Sequence, residues 1–326
     1  LFRSGLDGID HHFTVRMEIF ATFDDSVFLE AKDRVAVTLS SYNAKVCEPQ
    51  WFCDKTALNT DDPLEKQKIY KFRGDLAVRQ GQHQEALDAY SNCQEWIADN
   101  NLTIRRDVLE GMARCCSKLG QRDRALHFAD LLGKEASNIC HMTSLLLLKV
   151  SIYQRFKAVV SELSALQQLC SMLPFNPWHW YNLGQTCLQL LENSPGRCES
   201  ADEDKPGEAA ELGEDRIWLK ACSGFIRTRL LLRILRQQQS SFVLQRTEST
   251  LQTADQVLQR LSPKETTLQA LTEVLSEDLI PDKMREEYQD GDSLASVRVQ
   301  SFKERWWDRI LLTGVLEADG PSHGMN

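Results

Sequence analysis

The chain has 326 residues, 42% hydrophobic and 26% charged, with 47 acidic against 38 basic side chains and a net charge of −9. This is a globular composition, long enough for one elongated domain or two compact ones. Its longest wholly apolar runs are four or five residues, as at Leu145 to Leu148, against roughly 20 for a membrane helix and roughly 7–15 for a secretory core, so neither is expected. Ten cysteines are too sparse for a disulfide scaffold, and Cys93, Cys115, Cys116, Cys187 and Cys222 fall inside helical patterns, where they read as small buried apolar residues. The expectation is an intracellular protein, cytoplasmic or nuclear, without a membrane partner. Excess acid argues against a general nucleic-acid binder, which needs a basic footprint to neutralise phosphates.

The acid is unevenly spread. From Glu199 to Asp215 there are eight acids and one base, Lys205, so this short stretch carries −7 and the remaining chain −2. Residues 193–215 are therefore expected to form a disordered acidic linker, opened by Asn193–Ser194–Pro195–Gly196. At the N-terminus Met17 opens a more conventional segment, and residues 1–16 read as a leader without structural role. Residues 17–62 read as an extended capping segment, with an apolar knot, Val46–Cys47–Glu48–Pro49–Gln50–Trp51–Phe52, expected to dock on the first helical repeat.

Residues 63–192 carry that repeat. Tyr70, Gly74, Leu76, Ala77, Gly81, Ala86 and Tyr90 follow the spacing of the 34-residue tetratricopeptide unit, two antiparallel helices packed through small residues. A second copy lies 39 residues on, as Leu109, Met112, Ala113, Cys116, Gly120, Ala125, Ala129 and Leu132, with Ala113 standing for the small glycine. The fourth is the clearest: Trp180–Tyr181–Asn182–Leu183–Gly184 reproduces the W-x2-L-G signature after the turn Pro174–Phe175–Asn176–Pro177. A third, centred on Leu146, is degenerate, with Glu162 at a usually small position. No such unit buries its apolar face alone, so the predicted fold is all-α, a helical-hairpin solenoid with a concave inner face; an ordinary helical bundle is the competing reading. Residues 216–312 are expected to complete the solenoid with helices near Arg216–Gln238, Ser241–Leu261, Lys264–Leu279 and Ser293–Leu312, and 313–326 to form a disordered tail. In the first of these the apolar stripe changes sides around Gly224 to Thr228, which predicts a bend or a passage between two layers.

Five segments carry a resemblance to a known family: Asp25–Ser26–Val27–Phe28, Cys47 to Phe52, Arg106–Asp107–Val108–Leu109–Glu110–Gly111, Pro174 to Trp178, and Ser223 to Leu232. In this order they look like the vertebrate family called chromosome 8 open reading frame 76, over about Met17 to Leu312. The resemblance implies a tetratricopeptide-like fold and no established chemistry.

Chemistry-bearing motifs are lacking in the sequence. There is no phosphate-cradling glycine loop, no C-x2-C or H-E-x-x-H, and no nucleophile with a partnered base, so no cofactor, metal or catalytic residue is expected and the chain does not read as an enzyme. In this repeat class, positions 2, 5, 9, 12 and 13 of each first helix line the groove. Here they supply six bases against three acids. Lys68, Lys71, Arg79, Arg114, Lys118 and Arg155 are the expected electrostatic contacts, with Trp178 and Tyr181 as aromatic anchors. A carboxylate clamp of the co-chaperone type is not expected, because Asp75 stands where that site needs a neutral donor. The functional expectation is a protein-interaction adaptor or scaffold whose groove takes an acidic or amphipathic peptide. Two alternatives stand beside it: a nuclear nucleic-acid-associated role through Arg227, Arg229, Arg233 and Arg236, and an enzyme of unrecognised class.

Overall fold

The computed structural model describes residues 50–193, 213–237, 241–280, 284 and 298–315. The chain divides into two compact units, Leu1–Trp51 and Phe52–Asn326. In the first only Gln50 and Trp51 lie among the described residues, so the expected leader and most of the capping segment fall outside them, as do nearly all of the acidic linker and the tail beyond Val315.

Eleven helices make up the described part of the second unit, and no strand occurs among the described residues. They are α1 (Pro63–Arg79), α2 (His83–Gln94), α3 (Leu102–Lys118), α4 (Arg122–Lys134), α5 (Ile139–Arg155), α6 (Val159–Met172), α7 (Pro177–Glu192), α8 (Glu214–Arg236), α9 (Ser241–Leu261), α10 (Glu265–Ser276), and α11. The last runs Val299–Phe302, passes a π-type turn at Lys303–Trp307 and continues as Asp308–Leu312. Successive helices pair as hairpins, α1 with α2, α3 with α4, α5 with α6 and α7 with α8; each hairpin's second helix packs on the first of the next.

The first helix of each hairpin starts from a side-chain cap that satisfies an orphan backbone donor. Asp62, Asn138 and Asn176 accept from the N–H of Leu64, His141 and Trp178 at 2.9, 2.9 and 3.0 Å, and Asn101 from Ile104 at 3.4 Å. The first three hairpins close through one turn used three times. Gln82, Gln121 and Ala158 each return their N–H to the carbonyl five residues back, at 2.8, 2.9 and 2.9 Å. Just before them the chain takes a positive φ, at Gly81 (76°), Gly120 (79°) and Lys157 (56°). A left-handed conformation suits glycine and strains lysine, so the degenerate third copy keeps the turn at a cost of about 1 kcal/mol.

Two apolar clusters share α5. Its run of four leucines is divided three ways: Leu145 and Leu148 enter the cluster built by α1–α4, Leu146 enters the one built by α6–α11, and Leu147 stays 44% exposed. In the second cluster Trp180 is fully buried, donates its ring N–H to the Pro174 carbonyl at 2.8 Å and meets Trp306 edge-on with centroids 5.0 Å apart. Phe302, Trp306 and Ile310, spaced for one face of a helix, all lie in this core.

Helix α8 resolves the choice left by its shifting apolar stripe. It is continuous from Glu214 to Arg236 and passes between layers, with α7 on one side and α9 and α10 on others; from Ile217 to Thr228 only Trp218 and Lys220 are not fully buried. Gly184 and Gly224 bring the backbones of α7 and α8 almost into contact: a Cβ on Gly224 would sit 2.7 Å from the Gly184 Cα. Gly224→Ala is therefore expected to lower unfolding free energy by about 2–3 kcal/mol in urea titrations. Gly213→Ala, where nothing lies within 4 Å of the added Cβ, serves as the control with little change.

Candidate functional site

The residues expected to line a groove lie on the first helices of adjacent hairpins, and the structure sorts them into two groups. Near the start, Lys68 is exposed on α1 and Lys71 pairs with Asp75 at 2.9 Å. The other Asp75 oxygen accepts the Tyr90 hydroxyl at 2.8 Å. Tyr90 is wedged between backbones, because a Cβ on Gly74 or Gly111 would fall 2.5 or 2.7 Å from its ring. The small residue of α3 that seats this ring is Gly111, and Ala113, the second copy's counterpart of Gly74, is buried in the same cluster. Burial, then the neighbouring Asp75, raises the Tyr90 pKa, so the phenol stays a donor.

Further along, Arg114 pairs with Glu110 at 2.7 Å on an exposed helix face, and the Arg155 guanidinium donates to the Lys118 carbonyl at 2.9 Å, tying α5 to the end of α3. Arg79 is exposed at the end of α1. Arg114 and Lys118 line a cavity of about 150 Å³ whose other walls are Val78 of α1, His83 at the start of α2, Cys115 and Ser117 of α3, and Leu148, Ser151 and Ile152 of α5. Val78 is 37% exposed there. His83 Nδ1 is buried without a hydrogen-bond partner among the described residues.

Trp178 and Tyr181 stand apart from this pocket. Trp178 is half-buried with the Arg246 guanidinium of α9 lying 4.4 Å from its ring, and Tyr181 stands edge-on to Phe225 at 5.8 Å with its hydroxyl accepting from Gln185 at 3.0 Å. Glu162, the misfit of the third copy, is buried and accepts from Gln154 at 2.9 Å and Thr186 at 3.0 Å, so it joins α5, α6 and α7 where a small residue would have joined only two. His83, Cys115, Leu148 and Ile152 were not among the contacts expected from sequence. Cys115, Leu148 and Ile152 each sit one residue beyond an expected groove position, and that adjacency was the available signal.

Several buried thiols are muted by their surroundings, while Cys53 and Cys140 are exposed. Burial pushes the Cys93 and Cys115 thiols up to about 11 and those of Cys187 and Cys222 up to about 12, which removes thiolate at neutral pH. Among the described residues no cluster of three His, Cys, Asp or Glu side chains could hold a metal ion, and no helix is long and apolar enough to cross a membrane. Of the four arginines considered for nucleic acid, Arg227 is wholly buried and paired with Asp278, and Arg229 faces Asp255 at 3.6 Å.

The described part is thus an all-helical protein of sequentially packed hairpins with a small basic-rimmed cavity between the first three. Residues 19–209 and 205–310 match the model of a family described as "Family of unknown function (DUF5588)", the two segments meeting within the acidic stretch. The chain is 32% identical over 353 residues to "Uncharacterized protein C8orf76" of Homo sapiens, and 31% identical over 346 residues to "Uncharacterized protein C8orf76 homolog" of Rattus norvegicus. Each alignment covers 88% of this chain and 92% of the relative. The chain belongs to this family, in agreement with the resemblance carried by its five segments.

One histidine of α7 gives the fold a pH dependence. His179 is buried with Nε2 lacking a hydrogen-bond partner among the described residues, and desolvation lowers its pKa from 6.5 to about 4. Between those values the unfolded chain binds the extra proton, so stability is fully present above pH 6.5 and is lost as pH falls towards 4, by about 3 kcal/mol in all. Urea midpoints measured across this window should fall with pH in the wild type and fall less in His179→Gln.

Proposed function

We propose that α1–α8 form a tetratricopeptide-type array and that the protein is a non-enzymatic adaptor whose groove takes an acidic or amphipathic peptide from a protein partner. Three features support the array: the turn used three times in one register, the seating of Tyr90 between two glycines, and the close α7–α8 crossing at the signature glycine Gly184. The observation that carries the peptide reading is the cavity between α1, α2, α3 and α5, with two cations at its rim and an apolar interior. Arg114 is held only by an exposed i,i+4 pair, worth a few tenths of a kcal/mol, so an incoming carboxylate competes for it at little cost. Lys118 has no ion-pair partner among the described residues.

Lys68, Lys71, Arg79 and Arg155 extend the positive character along the groove, although Lys71 is engaged by Asp75 and Arg155 by a carbonyl. Trp178 and Tyr181 serve the fourth hairpin through Phe225 and Arg246, and their part in binding is secondary to the cavity. The nucleic-acid reading is weakened because Arg227 cannot reach a phosphate from the core.

A random-peptide display library panned on the immobilised full chain tests this. Wild type should enrich peptides rich in Asp and Glu, and Arg114→Glu/Lys118→Glu should bind the same peptides about 10- to 100-fold more weakly at low salt, with the gap closing as salt rises. Enrichment without an acidic bias, or no enrichment, would overturn the reading.

A further inference from the structure

The cavity at the end of the groove has a more definite chemistry than a charged surface, and the role assigned to it rests on the peptide-binding reading. Its floor is made by Cys115, Leu148 and Ile152, each 1% exposed, so these are core side chains whose outer edges form a hard apolar surface that packing holds in place. Val78 closes one side from α1 while remaining 37% exposed, so apolar surface here stays uncovered by the protein's own described residues. Volume sets the size of the guest. About 150 Å³ of space with a mainly apolar surface is room for one benzene-sized group.

The charge lies with Arg114 and Lys118. Arg114 and Lys118 lie one helical turn apart on α3, a separation of about 6 Å along the axis. Alternate residues of an extended peptide are about 6.6–6.8 Å apart. A peptide laid along α3 therefore presents carboxylates two residues apart to both cations in one register. Another wall brings His83, whose buried Nδ1 has no hydrogen-bond partner among the described residues. Apolar floor, small size and cationic rim lie in one place, and the lining comes from four helices.

We infer that the cavity between α1, α2, α3 and α5 is an anchor subsite that takes a single leucine-, methionine- or phenylalanine-sized side chain of a partner peptide, with carboxylates two and four residues away on the same face of the extended chain that pair with Arg114 and Lys118. The occupant is a segment of another protein that carries these acidic and apolar residues at every second position. Groove charge alone gives attraction without register; the cavity supplies the register.

The test uses peptides recovered from the display library, synthesised singly and titrated against the full chain by fluorescence anisotropy. The recovered sequences should share one Leu, Met or Phe with Asp or Glu two and four residues away, and replacing that apolar residue by Ala should weaken binding tenfold or more, equivalent to about 1.4 kcal/mol. Ser151→Phe, at an exposed position of α5 on the cavity wall, should close the subsite with a similar loss while leaving the thermal melt unchanged. Val78→Gln, at a partly exposed position of α1, is a second variant expected to weaken the same peptides and not their Ala-substituted forms. If acidic peptides are recovered without a shared apolar residue, or if Ser151→Phe binds them as the wild type does, the anchor subsite is wrong while the acidic-peptide reading stands. If no acidic peptide is recovered, both fall.

Discussion

The Arg227 guanidinium is wholly buried in the middle of α8, and the C-terminal half of the fold is arranged around it. Leaving water costs a charged group several kcal/mol unless its partners are close and well oriented. Here Nη1 donates to the Asp278 carboxylate and the Leu275 carbonyl, and Nη2 to the other Asp278 oxygen at 3.0 Å and to the Pro174 carbonyl at 3.4 Å. The Phe175 and Trp180 rings lie 5.7 and 5.5 Å from the guanidinium carbon. Arg305 adds a second cation to Asp278 at 3.1 Å. Burial lowers the Arg227 pKa and Asp278 opposes that shift. Arg227 thus joins α8 to the end of α10 and the loop before α7, and Asp278 extends the link to α11 through Arg305. Such a pair contributes little net stability over an apolar substitute, and its effect is to exclude arrangements that leave the charge unpaired.

With α8 held in that position, several other features become necessary. Its close crossing with α7 requires Gly184 and Gly224, and its burial on all sides explains why its apolar stripe changes face along its length. The core so formed reaches back through α6 to Leu146 and Val150 on one face of α5. The opposite face of α5 carries Leu148 and Ile152, which are both core residues of the first three hairpins and the floor of the cavity. The cavity's far wall is therefore set from two directions. This is why a small site between the first three hairpins depends on packing in the last four helices.

Local periodicity in the sequence carried the hairpins, the turns at Gly81 and Gly120, the Trp180–Gly184 crossing and the buried face Phe302–Trp306–Ile310, because each is settled within a few residues along one helix. Long-range pairings left no such trace. Asp278 lies 51 residues from Arg227, and nothing in the spacing of either residue signals the other, so Arg227 read as one of four equivalent basic side chains. Gly111 carried no signal as the seat of Tyr90 because that contact runs between hairpins, and Trp178 read as an aromatic anchor for a partner because Arg246, which lies over its ring, belongs to the later helix α9. For the candidate site, the sequence named Arg114 and Lys118 but spread the contacts over all four hairpins. Only packing shows that these two share a cavity with core side chains that repeat positions treat as interior.

A double-mutant cycle on Arg227→Met and Asp278→Leu, followed by urea unfolding of the full chain, tests the central claim most directly. If the buried pair organises the C-terminal half, Asp278→Leu leaves Arg227 as an uncompensated buried charge and loses about 3–5 kcal/mol, Arg227→Met loses less because Asp278 keeps Arg305, and the double variant recovers much of the Asp278→Leu loss, giving a coupling energy of about 2 kcal/mol or more. Additive effects, with the double variant as unstable as the two losses combined, would contradict it.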